Sequence, residues 1–163
     1  MIKLLSPIQI QPILDEYTRL ENDIQWTDYG HKGKQAGLQY CKDKDPWSSA
    51  VGKNKGNELG NTILNPFFTG TVFESLIQEF KLIRTRLMWV GPYACYSMHR
   101  DTTPRIHIPL ITNPGCYFVF QEGKLVNLNK GYVWWVDTTK PHTFMNCSNQ
   151  HRLHLVGAVD NDN

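Results

Sequence analysis

From Thr85 to Val159 the chain is a succession of short β-prone runs divided by turn residues, and that rhythm limits the fold more than any other feature. Strands are predicted over 85–90, 105–111, 116–121, 125–128, 132–136, 143–146 and 151–159, and Gly91-Pro92 leads into a further extended stretch over 93–99. Between them stand Asn113-Pro114-Gly115, Glu122-Gly123, Asn129-Lys130-Gly131 and Asn149-Gln150, residues that accept the backbone angles of tight turns. Roughly eight short strands joined this closely predict a double-sheet jelly roll. Trp134 and Trp135 are adjacent on one strand and point to opposite faces, so one packs in the core and the other against the helices or the surface.

The first 84 residues read as helices and a long loop, with 85–159 as the β core of a single 163-residue domain. Pro12 suits the first turn of a helix through Ile13, Leu14, Tyr17 and Leu20, with Asp15 and Glu16 near its positive end. Thr71 and Glu74 have the spacing of a capping box, opening a second helix whose stripe is Phe73, Leu76, Ile77, Phe80 and Ile83. The two helices are expected on one face of a sheet. Between Asp23 and Asn61, glycines at 30, 33, 37, 52, 56 and 60 interrupt any periodicity. That stretch reads as a lid over a site or as a peripheral loop, with Gln35, Gln39, Tyr40 and Trp47 as candidate substrate contacts.

Within the β region, His99-Arg100-Asp101 is followed by His142 and then by Arg152. In an extended segment residues two apart share a side, so His99 and Asp101 can converge on one ion while Arg100 points away. His142, on a distant strand, completes a two-histidine, one-carboxylate set, the pattern that holds Fe(II) on one face and leaves positions for a chelating 2-oxo acid and for O2. Arg152 alternates with leucines in its strand, and its planar fork suits the carboxylate of an acidic co-substrate. Arg105 and His107, two apart on one strand, face the same way. An inward Arg105 needs a carboxylate partner, either on the substrate or on a protein acid such as Asp137 or Asp101. His107 and His154 read as site histidines or as satisfied core residues, and His31 and His151 as surface residues.

The run Tyr96-Ser97-Met98-His99-Arg100-Asp101, then Arg105-Ile106-His107-Ile108-Pro109-Leu110, the Gly131–Asp137 stretch, His142, Asn146 and Arg152 resembles the 2-oxoglutarate-dependent aspartyl/asparaginyl β-hydroxylase family, which includes cis-proline hydroxylases. The resemblance covers roughly residues 70 to 159. It implies a double-stranded β-helix, the cupin-like jelly roll, and a dioxygenase that couples oxidative decarboxylation of 2-oxoglutarate to hydroxylation of an unactivated C–H bond. Its cofactors and co-substrates would be Fe(II), 2-oxoglutarate and O2. By that likeness His99, Asp101 and His142 match the iron ligands, Arg152 the partner of the distal carboxylate of 2-oxoglutarate, and His107 a further co-substrate contact. Arg105 is the candidate for binding a substrate carboxylate. The animal peptidyl-aspartyl enzymes of the family lack the acidic ligand that Asp101 supplies here, which argues against their substrate and leaves a free amino acid or another peptidyl residue.

Composition fits this expectation. A formal charge of +2 from 17 basic and 15 acidic residues lacks the basic excess of a dedicated nucleic-acid binder. No apolar run reaches the roughly 18 residues that span a bilayer, and the opening seven residues are too short for a secretory signal, so the expected compartment is the cytoplasm. Cys41, Cys95, Cys116 and Cys147 have no CxxC spacing, which makes a zinc or disulfide framework improbable. Two rival classes share the scaffold: a cupin-like metal-binding protein without oxygen chemistry, and a degenerate oxygenase serving as an interaction module.

Overall fold

The computed structural model describes residues 1–52 and 58–159. In chain order the elements are β1 (Ile2–Pro7), α1 (Gln11–Leu20), β2 (Thr27–Asp28), β3 (Gly33–Gly37), β4 (Gln39–Tyr40), β5 (Ile63–Leu64), α2 (Val72–Glu79), β6 (Ile83–Val90), β7 (Arg105–Ile111), β8 (Cys116–Phe120), β9 (Leu125–Val126), β10 (Tyr132–Val136), β11 (His142–Asn146) and β12 (Arg152–Ala158). Seven strands form one antiparallel sheet in the order β1-β10-β7-β12-β6-β3-β2, and β11-β8-β9 form the sheet opposite. This is the expected cupin-like jelly roll.

Strand alternation sorts the large sheet into two chemically different faces. Leu87, Ile106, Ile108, Leu110, Val133, Leu153 and Leu155 point to one side, where Ile13 and Leu20 of α1 and Phe73, Leu76 and Ile77 of α2 cover them. Full burial of each such side chain stabilises by roughly 1.5–3 kcal/mol. The opposite face looks toward the small sheet, and there Val90, Phe118, Phe120, Val136 and Phe144 form a second apolar cluster at one end. Trp135 packs with the helical side and Trp134 with this inter-sheet cluster, so the pair splits as the alternation requires.

The first third departs from the sequence expectation. Residues 23–61, read there as loop, contain β3, which lies between β2 and β6 in the large sheet. Glycine hides it: a Cβ on Gly33 would stand 2.1 Å from the Trp89 carbonyl oxygen, and Gly33 has φ +137°. β1 pairs with β10 and was equally unforeseen. Residues 53–57 of the expected lid lie outside the described residues.

Both helices form with altered ends. α1 begins at Gln11, one residue before Pro12, and Asp15 accepts from the Gln11 side chain at 2.7 Å. Thr71 flanks α2 but its hydroxyl donates backward to the Phe68 carbonyl at 2.6 Å, while Glu74 accepts from Gly70 N at 2.7 Å. The capping box is thus displaced by one residue at its glutamate end. Ile83 belongs to β6 and not to the helical stripe. The stretch 93–99 is held by two isolated bridges, Cys95 to Met145 and His99 to His142. Among the described residues no helix is long and apolar enough to cross a membrane.

Candidate metal and co-substrate site

The predicted triad converges because backbone pairing leaves it little alternative. His142 opens β11 and exchanges two backbone hydrogen bonds with His99, each 2.9 Å. Residues paired this way share a face, and the two imidazole centroids are 4.4 Å apart. Asp101 lies two residues beyond His99, and its N–H donates to the Thr138 carbonyl at 2.9 Å. One ligand atom from each of His99, Asp101 and His142 lies within 4.8 Å of the others.

The tautomers suit a cation. His99 Nδ1 contacts the Ser97 carbonyl at 2.8 Å and His142 Nδ1 the Lys140 carbonyl at 2.9 Å. A carbonyl only accepts, so each ring carries its proton on Nδ1 and leaves the Nε2 lone pair for a metal. Burial lowers the His142 pKa, and its neutral form is the one that ligates.

A cavity of about 790 Å³ opens between the sheets beside the triad, and Arg152 and His107 line it. Arg152, only 2% exposed, stacks its guanidinium 3.7 Å from the centre of the Phe144 ring. Its Nη2 donates to His154 Nδ1 at 2.5 Å, which requires the His154 proton to sit on Nε2. That Nε2, Arg152 Nε and both ring nitrogens of His107 are buried without hydrogen-bond partners. Each unmatched polar group costs about 1–3 kcal/mol, so such a cluster calls for a ligand. Burial pulls the Arg152 pKa to about 9, leaving it charged at neutral pH, and holds His107 and His154 well below 6.5.

Arg105 faces the cavity as expected, but its partners come from the protein. It bonds to Glu58, approaches Asp101 Oδ1 at 3.3 Å and donates to the Thr103 carbonyl at 2.9 Å. The premise of an unmatched Arg105 therefore fails, and of the two protein acids named for it Asp101 is a partner. Asp137 instead accepts from the Thr139 hydroxyl. Glu58, which no sequence pattern singled out, also takes Arg84 Nη1 at 2.7 Å.

Among the residues of the long loop, Gln35 lines the cavity. Gln39 is spent on structure, donating to the Leu82 carbonyl at 3.0 Å and accepting from Thr85 N and its hydroxyl. Trp47 packs on Phe67 and Phe68. The sequence reading also missed Arg86, buried on the cavity side of β6. The alternation of Arg84 and Arg86 with Thr85 and Leu87 was the available signal.

The comparisons agree with this geometry. The family model for aspartyl/asparaginyl β-hydroxylase matches residues 9–161. An L-proline cis-4-hydroxylase of Rhizobium meliloti (strain 1021) is 35% identical over 78 residues, covering 44% of this chain but only 28% of that protein. In fold, the chain is similar to an oxidoreductase of the 2OG-Fe(II) oxygenase family from Burkholderia pseudomallei, with TM-score 0.59, 15% identity, and coverage of 95% of this chain and 82% of the other. It is also similar to a Pseudomonas putida prolyl-4-hydroxylase, with TM-score 0.51, 12% identity, and coverage of 96% and 90%. With its length matched almost throughout, the chain belongs to the aspartyl/asparaginyl β-hydroxylase family.

Proposed function

We propose that the protein is an Fe(II)- and 2-oxoglutarate-dependent dioxygenase that hydroxylates an unactivated C–H bond of an amino acid, free or within a peptide. The observation that carries this is the pairing, in one cavity, of a two-histidine, one-carboxylate triad with a buried arginine that has no acid partner. The donor set fits the metal: two neutral imidazoles with free Nε2 atoms and one carboxylate on one side suit Fe(II) and leave its other positions open. Bound together, iron, 2-oxoglutarate and O2 supply the oxidising chemistry, and the protein supplies orientation and shelter.

His99, Asp101 and His142 would hold the metal. Arg152 would take the far carboxylate of 2-oxoglutarate, with the His154 Nε2–H as a further donor. His107 lies close enough to His154, with ring centroids 5.8 Å apart, to contact the same co-substrate. Arg105, tied to Glu58 and Asp101, would shape the substrate side and set the direction of the Asp101 carboxylate. Thiols at Cys95, Cys116 and Cys147 suit the reducing cytoplasm. A non-oxidative cupin would have little use for a buried, acid-free arginine beside its metal.

The test is Fe(II)-dependent succinate release from 2-oxoglutarate with a panel of free amino acids and short peptides, read with a mass gain of one oxygen atom. Wild type should score with at least one substrate. Alanine at His99, Asp101 or His142 should abolish iron binding and succinate release while the β-type circular dichroism persists. Undiminished succinate release from His142→Ala would sink the triad assignment.

A further inference from the structure

Arg86 is the second cation of the cavity without an acid. It is 7% exposed and lies on β6 opposite Val156 of β12 and Gly37 of β3, small neighbours that leave room above it. Its guanidinium makes one long hydrogen bond, Nη1 to Gln35 Oε1 at 3.4 Å, and its Nε is buried without a partner. The acids that act on it are occupied: Glu58 by Arg84 and Arg105, Asp101 by Arg105 and the triad. The nearest like charges, Arg84 and Arg105, make its position worse. Gln35 is oriented by Gly52 N, which donates to its Oε1 at 3.2 Å and leaves its Nε2 as a second donor beside the guanidinium.

Arg86 is remote from the co-substrate arginine. Arg152 pairs with Val90 and Val156 with Arg86, so the two arginines stand four residues apart along the ladder, roughly 13 Å. A five-carbon diacid is shorter than that and cannot satisfy both. Lys32 and Arg100 line the same cavity from exposed positions, and their charge draws anions inward.

We infer that Arg86, assisted by Gln35, binds the carboxylate of the primary substrate, which is therefore a small molecule with a free carboxylate and not a residue within a protein chain. The turnover arm of the inference rests on the dioxygenase reading; the binding arm does not. A buried guanidinium is costly alone and regains that cost with a carboxylate in fork geometry. The separation of the two arginines also keeps 2-oxoglutarate and the substrate from exchanging places.

The test uses Arg86→Met, which keeps the length and apolar stem of the side chain. Binding is measured on metal-free protein by thermal shift and calorimetry with the twenty free amino acids, their carboxamides, and 2-oxoglutarate. At least one amino acid should bind wild type, its carboxamide on the order of 100-fold more weakly, and Arg86→Met should bind acid and amide alike. Its affinity for 2-oxoglutarate should stay within about threefold of wild type. Acid binding that survives the substitution, a carboxamide as good as the acid, or turnover confined to internal peptide residues each overturns the inference. If wild type binds an acid through Arg86 but releases no succinate, the dioxygenase reading fails and the carboxylate site stands. If succinate is released equally by Arg86→Met, the reverse holds.

Discussion

Four buried arginines, Arg84, Arg86, Arg105 and Arg152, share the inner face of the large sheet and fall into two electrostatic settings. Arg84 and Arg105 converge on Glu58, and Arg84 also donates to the carbonyls of Ala50 at 2.9 Å and Gly52 at 2.6 Å. Arg86 and Arg152 meet a glutamine, a histidine and an aromatic ring, and no carboxylate binds either. Equal burial therefore carries opposite meanings. A matched guanidinium is part of the scaffold, and an unmatched one is a position the protein keeps for a ligand at some cost to its own stability. The contrast also explains the course of the chain at the cavity mouth, where Glu58 is held in place by Arg84 and Arg105 together.

The contrast is most exposed to a change at Glu58. Glu58→Ala would leave two buried guanidinium groups beside each other, and unfolding in urea should show a loss of about 3–5 kcal/mol. A loss below about 1 kcal/mol would mean that Glu58 is no scaffold member. Arg152→Met should behave in the opposite way. Stability should hold or rise, because an uncompensated buried charge is removed, while 2-oxoglutarate binding measured by calorimetry weakens by about 2–5 kcal/mol. An unchanged affinity would move the co-substrate site elsewhere on this face, and a collapse in stability would make Arg152 a structural residue like Arg84.

A smaller effect tests whether the histidines around Arg152 are held neutral. Burial keeps the pKa of His107 and His154 well below 6.5, with the Arg152 charge adding to it, whereas the unfolded chain protonates its histidines near about 6.5. Below that pH the unfolded state binds the extra protons. Stability is thus fully present above about pH 6.5 and falls as the pH drops, by up to about 1.4 kcal/mol per pH unit for each histidine. Urea midpoints of the metal-free protein at pH 7.5 and 5.5 should differ in that direction, and His154→Gln should shrink the difference. A flat profile would show that the histidines titrate normally and that the cavity is wet.

Much of this was legible in order and spacing. His99, Asp101, His142 and Arg152 sit in strands whose alternation fixes side-chain direction, so the triad could be read before any coordinate was known. The jelly roll was legible for the same reason, since turn residues recur at intervals of a few residues from 85 onward. β3 was not, because Gly33 and Gly37 carry no hydrophobic pattern. Their place in the sheet depends on close approach to Trp89, Pro46 and Trp47.

Local chemistry was thus determined by the sequence alone: which residues can ligate iron, which strand carries the co-substrate arginine, and which faces are apolar. Tertiary structure decided the pairing of charges. Arg105 gained Glu58, 47 residues away, and Arg84 gained the same acid from 26 residues away, contacts that no pattern along the chain records. The physical reason is that side-chain direction follows from dihedral angles within one strand. The partner of a buried charge depends on which distant segment the fold brings within about 3 Å, and a lone Glu58 in a glycine-rich stretch gives no hint of it.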